Sequence, residues 1–194
     1  QLTAASSATD PDIGGDPASP KIAFTRGDRI FVMDADGTNQ AAVSSGNDRH
    51  AAFSPDGNWI LFSSLRDGNF EIYVVNVGTG VETRLTNDAG VDAKPAWWSD
   101  GSKVLWASDR TGDFEVYVAD FDSVTPAIGV ETNLTNDPTQ GDFMPAARPN
   151  GNAIAFVRDG AGSNDVWTMQ PDGSGKSSLF GATPSSDTNP AWSP

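Results

Sequence analysis

An internal repeat limits what this chain of 194 residues can fold into more than any other feature. An acidic or amide residue followed by glycine recurs between two short apolar runs, with spacings of 44 and 50 residues, at Asp56-Gly57, Asp100-Gly101 and Asn150-Gly151. These residue types suit tight hairpin turns because they tolerate a positive φ. We therefore predict hairpins at equivalent places in successive repeats, each closed by a two-residue type I′ turn.

Four short apolar segments recur around each turn, and in the third copy they cover residues 95–98, 103–106, 115–119 and 130–135. The middle segments are nearly continuous apolar runs, which indicates strands buried on both faces. One such sheet cannot bury its own faces, so the copies must pack together. A period of about 45 residues with four strands per copy predicts an all-β propeller, whereas a β-sandwich does not explain the period. Residues 21–194 would form four repeats, and residues 1–20 an N-terminal tail or a degenerate partial repeat.

The second repeat resembles the TolB-type β-propeller repeat in the segment from Phe53 to Gly57, in Arg66, in Ile72-Tyr73 and in Leu85-Thr86. The third repeat resembles it from Trp97 to Asp120, while the fourth lacks the Ser-Asp-Arg loop. Relatives of this repeat include periplasmic partner-binding proteins, regulatory domains of peptidases and cell-surface modules. The resemblance implies a propeller fold, and it carries no catalytic motif.

The number of blades leaves two arrangements open, because familiar members of this family have six or more blades and this chain carries four repeats. In the first, residues 190–193 supply a strand that completes blade 1, and four blades close into a ring. In the second, both ends are open, and the chain forms part of a larger propeller or shares strands with another chain. An unpaired terminal strand is adhesive, so sharing would produce an oligomer or filament.

The net charge of −14 and the isoelectric point of about 4.1 bound the partners of the chain. Such a charge repels nucleic acid and favours cations or basic proteins. No apolar stretch approaches the roughly 18 residues of a membrane helix, so we expect no membrane insertion. The sequence contains no cysteine, which excludes disulfides and thiolate metal sites and fits a secreted, cell-surface or periplasmic protein.

One acidic position recurs just before the innermost strand of each repeat, and its members are Asp48, Asp92, Asp142 and Asp187. In a propeller these carboxylates would lie at one end face near the central channel. They could bind Ca²⁺, which prefers several oxygen ligands, and we predict no other cofactor. The alternative is architectural: each carboxylate accepts backbone N–H groups or pairs with an arginine such as Arg66 or Arg110.

Catalysis by this chain is not predicted. His50 is the only histidine; it has Asp48 nearby, but Ser54 lies toward the other end of the same strand, and no Gly-x-Ser-x-Gly elbow is present. The aromatic residues at repeated strand positions, Trp97, Trp106 and Trp192, are expected to fill the space between blades. Trp98 is the exception, since adjacent strand residues face opposite sides.

The sequence therefore predicts a non-catalytic extracytoplasmic module that binds a protein partner or acts as a scaffold. Its expected contact surface is an acidic end face built from the loops that carry Asp67, Asp88, Asp92, Asp109, Asp113, Asp137, Asp142, Asp159 and Asp187. Two alternatives remain: a structural protein that self-associates through unpaired terminal strands, and the propeller domain of a larger peptidase or other hydrolase.

Overall fold

A computed structural model describes residues 8–160, 163–179 and 186–192. In this part of the chain the regular elements are β-strands, and they form four antiparallel sheets that follow one another in sequence. The all-β class and the four-repeat propeller architecture predicted from the sequence are therefore confirmed. No helix of the described residues has the length and apolar composition that a bilayer crossing requires.

Each sheet is one blade. Blade 1 contains β1 (Ala8–Gly14), β2 (Lys21–Arg26), β3 (Arg29–Asp34) and β4 (Ala41–Ala42). Blade 2 contains β5 (Asp48–Phe53), β6 (Trp59–Ser64), β7 (Glu71–Asn76) and β8 (Glu82–Arg84). Blade 3 contains β9 (Asp92–Trp97), β10 (Lys103–Ser108), β11 (Glu115–Asp122), β12 (Ala127–Ile128) and β13 (Thr132–Asn133). Blade 4 contains β14 (Asp142–Ala147), β15 (Ile154–Asp159), β16 (Asn164–Met169) and β17 (Ser177–Ser178).

The core lies between blades, as the nearly continuous apolar runs predict. One cluster joins blades 1 and 2 through residues such as Ile30 and Phe62, and a second joins blades 2 and 3 through Leu61 and Trp106. A third joins blades 3 and 4 through Leu105 and Phe156. Successive residues of each middle strand therefore face opposite neighbours, and both faces of the sheet are buried.

The hairpin turns differ from the predicted two-residue type I′ turns. In blade 2 the amide of Gly57 donates to the carbonyl of Ser54 at 2.9 Å, and the amide of Ser54 donates to the carbonyl of Trp59 at 2.9 Å, so the loop has four residues. Gly57 has a φ of 70°, whereas Asp56 is not in the left-handed region. Pro55 explains the difference, because proline fixes a negative φ that suits a type I turn and a type I′ turn cannot contain it.

The equivalent turns have the same construction, with φ values of 76° at Gly101 and 70° at Gly151. The preceding side chain accepts the backbone N–H two residues on, at 2.9 Å for Asp100 and 3.2 Å for Asn150. The repeated acidic or amide residue therefore closes an Asx turn while the glycine supplies the positive φ.

Blade 1 has its own innermost strand, β1, which lies within the segment expected to be a tail or partial repeat. Residues 190–192, the described part of the segment expected there, do not occupy that place. The amide of Asp187 donates to the carbonyl of Asn164 at 2.6 Å, and Trp192 Nε1 donates to the carbonyl of Ala146 at 3.0 Å. Residues 187–192 thus follow blade 4 in the way that an inner strand of a further blade would.

The repeated tryptophan positions lie at blade contacts. Trp97 Nε1 donates to the carbonyl of Ala52 in blade 2 at 3.0 Å, which is the contact that Trp192 makes with blade 4. Trp98 packs in the opposite direction, in the cluster between blades 3 and 4, and it is buried rather than available to a ligand. Trp106 is fully buried and stacks on Tyr117 with ring centroids 5.8 Å apart.

Candidate functional site

The predicted aspartate positions begin the inner strands of successive blades, and Asp48, Asp92 and Asp142 have no solvent-exposed surface. Each of these three pairs with an arginine of its own blade. Arg66 Nη2 lies 3.0 Å from Asp48 Oδ1, and Arg110 Nη2 lies 2.9 Å from Asp92 Oδ2. Every described pair thus supplies a buried carboxylate with a cation from the protein, which is the arrangement that burial of charge requires.

The same arginines connect the inner strand of a blade to its outer edge. Arg66 Nη1 lies 2.5 Å from Glu82 Oε2 on β8, and its guanidinium carbon lies 4.5 Å from the ring centroid of Tyr73 on β7. Arg110 repeats the arrangement with Glu131 and with Tyr117, whose ring centroid is 4.6 Å away. The arginine therefore combines two ion pairs with a cation–π contact and holds the strands of one blade together.

Blade 4 forms the same kind of ion pair with an arginine at a different position of the repeat. It lacks the Ser-Asp-Arg loop, yet Arg158 near the end of β15 donates from Nε to Asp142 Oδ1 at 2.7 Å and from Nη2 to Oδ2 at 2.6 Å. Its guanidinium carbon lies 4.7 Å from the ring centroid of Trp167. The aromatic residue that replaces tyrosine in this repeat thus retains the stacking contact.

The electrostatics agree with pairing inside each blade. Burial raises the pKa of Asp92 and of Asp142, although their arginine partners act in the opposite direction. Within the described ranges no group of three or more acidic, histidine or cysteine side chains is placed to hold a metal ion. Calcium binding by Asp48, Asp92, Asp142 and Asp187 stays a prediction; the structure does not bring three of these carboxylates together.

Acidic residues of the neighbouring loops also have internal partners. Asp109 Oδ1 accepts the amide of Val91 at 2.6 Å. Asp137 Oδ2 lies 3.4 Å from Arg158 Nη1, and Asp67 Oδ2 lies 3.3 Å from Arg84 Nη1. Much of the acidity at this end therefore stabilises loops, and less of it is available to a partner than the sequence indicates.

The inner strands contain a second repeated feature, which the sequence analysis missed. In each blade two inner-strand residues lie opposite one residue of the next strand; in blade 3, for example, the bulge falls between Ala93, which pairs with Ala107, and Ala96, which pairs with Leu105. The first bulged residue is in the left-handed region at Asp10, His50, Lys94 and Met144, and the residue at the equivalent sequence position, Asn189, is in the same region, with φ between 50° and 56° for all five. The last of these belongs to the segment after blade 4.

This conformation is costly for a residue with a side chain, and β-bulges redirect side chains next to functional sites. All five of these residues, which we name the bulge residues, line one cavity of about 540 Å³ between the inner strands. Their chemistry differs from copy to copy: an acid, an imidazole, an amine, a thioether and an amide. The backbone geometry is thus kept while the side chain changes.

Two of the bulge residues share a hydrogen-bonding partner. Ser63 Oγ lies 3.3 Å from His50 Nδ1 and accepts the amide of Lys94 at 3.2 Å. Ser63 Oγ can donate its own hydrogen to Nδ1, and in that tautomer the imidazole hydrogen lies on Nε2. Burial, together with the charge of Lys94, lowers the pKa of His50 to about 4, so the ring is neutral near pH 7.

This geometry does not form a nucleophile and base of the usual kind. Ser63 is fully buried, and Asp48, the acid close to His50 in sequence, is paired with Arg66. A histidine with a pKa of about 4 is also a weak general base at neutral pH.

A sequence signal for the bulge residues exists in the repeat alignment. Two residues after each repeated aspartate, the residue type changes from copy to copy: His50, Lys94, Met144 and Asn189. The preceding position also varies, as Arg49, Ala93, Phe143 and Thr188, so variation alone does not identify the bulge residue.

The family model described as TolB beta propeller domain matches residues 22–194. An uncharacterized protein of Agrobacterium fabrum is 28% identical over 186 residues, which cover 91% of this chain and 61% of that protein. This chain therefore spans about three fifths of the length of that relative.

Solved structures give the same architecture. The putative TolB from Agrobacterium tumefaciens has a TM-score of 0.78 and 24% identity, with coverage of 93% of this chain and 69% of that one. TolB from Acinetobacter baumannii has a TM-score of 0.75 and 25% identity, with coverage of 90% and 43%. A Mycobacterium tuberculosis puromycin-hydrolyzing peptidase shares the fold at 14% identity and a TM-score of 0.67, over 90% of this chain and 31% of the peptidase. Blade geometry and the family match agree, and the chain belongs to the TolB beta propeller domain family.

Proposed function

We propose that this chain is a non-catalytic binding module that works outside the cytoplasm and contacts a protein partner at the channel between its inner strands. The observation that carries the proposal is the set of five bulge residues, which share one strained backbone conformation, line one cavity and differ in chemistry. Conserved geometry with varied side chains is what a scaffold needs when it presents a specific binding surface.

The residues around the channel favour the channel, rather than the acidic loops alone, as the contact surface. Asp48, Asp92 and Asp142 are buried in ion pairs, so they support the blades and are not exposed to a partner. Exposed loop acids such as Asp113 remain at the end of the blades where Asp92 lies and, with the net charge of −14, favour a partner with basic segments there. The absence of cysteine and the similarity to TolB proteins support a periplasmic or other extracytoplasmic location.

Site-specific photo-crosslinking tests the proposal. A photoreactive phenylalanine analogue replaces Met144 in the channel, and the matched control carries it at Val130, which is 88% exposed and lies outside the channel. In the source cells we expect a discrete protein adduct from position 144 that is absent at position 130. No adduct at 144, or the same adducts at both positions, would contradict a channel contact.

Self-assembly is a second candidate, and it is supported by one edge of blade 1. Ile13 occupies the strand position of Phe53 and Trp97, which are 7% and 8% exposed beneath the preceding blade, yet Ile13 is 71% exposed. A blade from a second copy of this chain would cover it. Sedimentation velocity of the wild type and of the Ile13→Asp variant should then show concentration-dependent association in the wild type alone. A monomer at all concentrations would contradict self-assembly.

The third candidate, a propeller domain of a larger hydrolase, is supported by a shared fold and not by any catalytic residue of this chain. The peptidase similarity stands at 14% identity, which is a likeness of architecture.

A further inference from the structure

We propose that Lys94 and His50 form a binding site for a carboxylate in the channel. This inference rests on the proposed binding role of the channel and names the chemical group that the channel would accept. Both side chains belong to neighbouring inner strands, both occupy bulge positions, and both line the same cavity.

The first argument is the missing partner of Lys94. Among the lysines of the sequence, Lys21 pairs with Asp34 at 2.8 Å, Lys103 pairs with Asp120, and Lys176 Nζ donates to the carbonyl of Gly173 at 2.6 Å. Within the described residues the ammonium of Lys94 makes no ion pair or hydrogen bond, although the side chain is half-buried. A partly desolvated ammonium is stabilised by an anion, and in a chain with 26 acidic and 12 basic residues its unpaired state is unusual.

The second argument is the donor set. Ser63 Oγ lies against Nδ1 of His50, and in the tautomer in which Ser63 donates to Nδ1 the neutral ring has one N–H to donate, from Nε2. A carboxylate has two oxygen atoms that accept hydrogen bonds, and an ammonium beside an imidazole N–H supplies one donor to each. A monoanion adds less negative charge than a phosphate dianion to a cavity that Asp10 also lines.

The third argument is Asp10, the bulge residue of blade 1. Its negative charge acts on both Lys94 and His50, but within the described residues it forms no ion pair with either. Asp10 is exposed, and it faces the same cavity. A negative group is therefore favourable in this part of the cavity, although Asp10 itself pairs with neither residue. Removing the Asp10 carboxylate should strengthen the binding of another carboxylate.

The test uses His50 as its own reporter, since it is the only histidine of the chain and its imidazole signals are unique in an NMR spectrum. Three blocked pentapeptides are titrated at pH 7 and low salt. The first is acetyl-Gly-Ala-Gly-Ala-Gly with a free C-terminus, the second is acetyl-Gly-Ala-Glu-Ala-Gly-amide, and the third is acetyl-Gly-Ala-Gly-Ala-Gly-amide, which has no carboxylate.

We expect saturable shifts of the His50 signals with at least one carboxylate peptide and none with the uncharged peptide. A response to the first peptide identifies a C-terminal carboxylate, and a response to the second identifies an acidic side chain. Lys94→Gln should weaken the binding at least tenfold, because a charge-assisted hydrogen bond is lost. Asp10→Asn should strengthen it severalfold, and Lys103→Gln, which removes an exposed lysine elsewhere, should leave it unchanged.

The inference is overturned if no carboxylate peptide shifts the His50 signals, or if Lys94→Gln and Lys103→Gln behave alike. That outcome leaves the binding module intact if the photoreactive residue at position 144 still captures a partner. Loss of the adduct at 144 together with retained peptide binding would instead contradict the protein-binding role and keep the carboxylate site.

Discussion

Two positions on the inner strands of blades 2, 3 and 4, separated by one residue, have opposite roles. The first is the repeated aspartate, which is buried and tied by an arginine to the strands of its own blade. The second is the bulge residue, which lines the channel and changes from blade to blade. The comparison shows that in this repeat the conserved charge stabilises the blade, and the variable residue beside it has the freedom to recognise a ligand.

The pair of variants with the largest expected effect removes one charge on each side of this comparison: the arginine that pairs with Asp92, and the bulge residue Lys94. Arg110→Ala leaves Asp92 buried without its cation, and we expect it to lower the free energy of unfolding by about 3–5 kcal/mol. Lys94→Met removes a positive charge two residues from Asp92, and we expect a change of less than about 0.5 kcal/mol, since no partner is lost. Urea denaturation of both variants gives the two values. Equal losses would erase the distinction.

A smaller effect comes from pH, through His50. The pKa of this ring is about 4 in the folded protein and 6.5 in the unfolded chain, so the unfolded state binds the proton first as the pH falls. Stability from this residue is present above pH 6.5 and is lost as the pH falls from 6.5 through about 4, by roughly 3 kcal/mol. His50→Gln removes that part of the pH dependence. The difference between wild type and variant across this range is the measurement, and a constant difference would contradict burial of the neutral ring.

Two tryptophans sharpen the comparison further. Trp97→Phe loses the hydrogen bond to the carbonyl of Ala52, and we expect a loss of about 1–2 kcal/mol. Among the described residues the indole nitrogen of Trp106 has no hydrogen-bond partner, and the equivalent residues in the other blades are Phe24, Phe62 and Phe156. Trp106→Phe should therefore cost less, about 1 kcal/mol or below, because no hydrogen bond is broken. Thermal unfolding ranks the two variants, and the reverse order would refute this explanation.

The smallest expected effects are those of glycine substitutions at the adjacent residues Ala93 and Lys94, and they have opposite signs. Lys94 has a φ of 55°, which glycine adopts without strain, so Lys94→Gly should stabilise the protein by about 0.5 kcal/mol. Ala93 is in an ordinary strand conformation, and Ala93→Gly should destabilise it by about 0.5–1 kcal/mol. Urea midpoints with replicate errors below this difference are needed. Destabilisation by both substitutions would show that the Lys94 backbone is not strained.

The repeat predicted the blades well because strand burial and turn chemistry are local properties that recur in the sequence. The role of the aspartates was left open, since a carboxylate near a channel can serve a metal or an arginine, and only the position of Arg66, Arg110 and Arg158 in space distinguishes the two. Arg158 illustrates the difficulty: it sits two residues earlier in its repeat than Arg110, so alignment by motif misses it.

The bulges could not be derived from residue types. A left-handed residue at an inner strand would suggest glycine or asparagine, but Lys94 and Met144 hold that conformation against their intrinsic preference. The surrounding blades impose it, and the sequence shows it only as variation within a repeated strand. The prediction of a type I′ turn was wrong in blade 2 because Pro55, which precedes the Asp-Gly pair, fixes a negative φ.

The most direct test of the central claim is the unfolding free energy of the triple variant His50→Gly, Lys94→Gly, Met144→Gly, measured by urea denaturation beside Arg110→Ala. If the bulge residues are free of the architecture, the triple variant stays within about 1 kcal/mol of the wild type, since glycine accepts the left-handed backbone at all three sites. A loss as large as that of Arg110→Ala would show that these side chains support the fold and would contradict the division between the two positions.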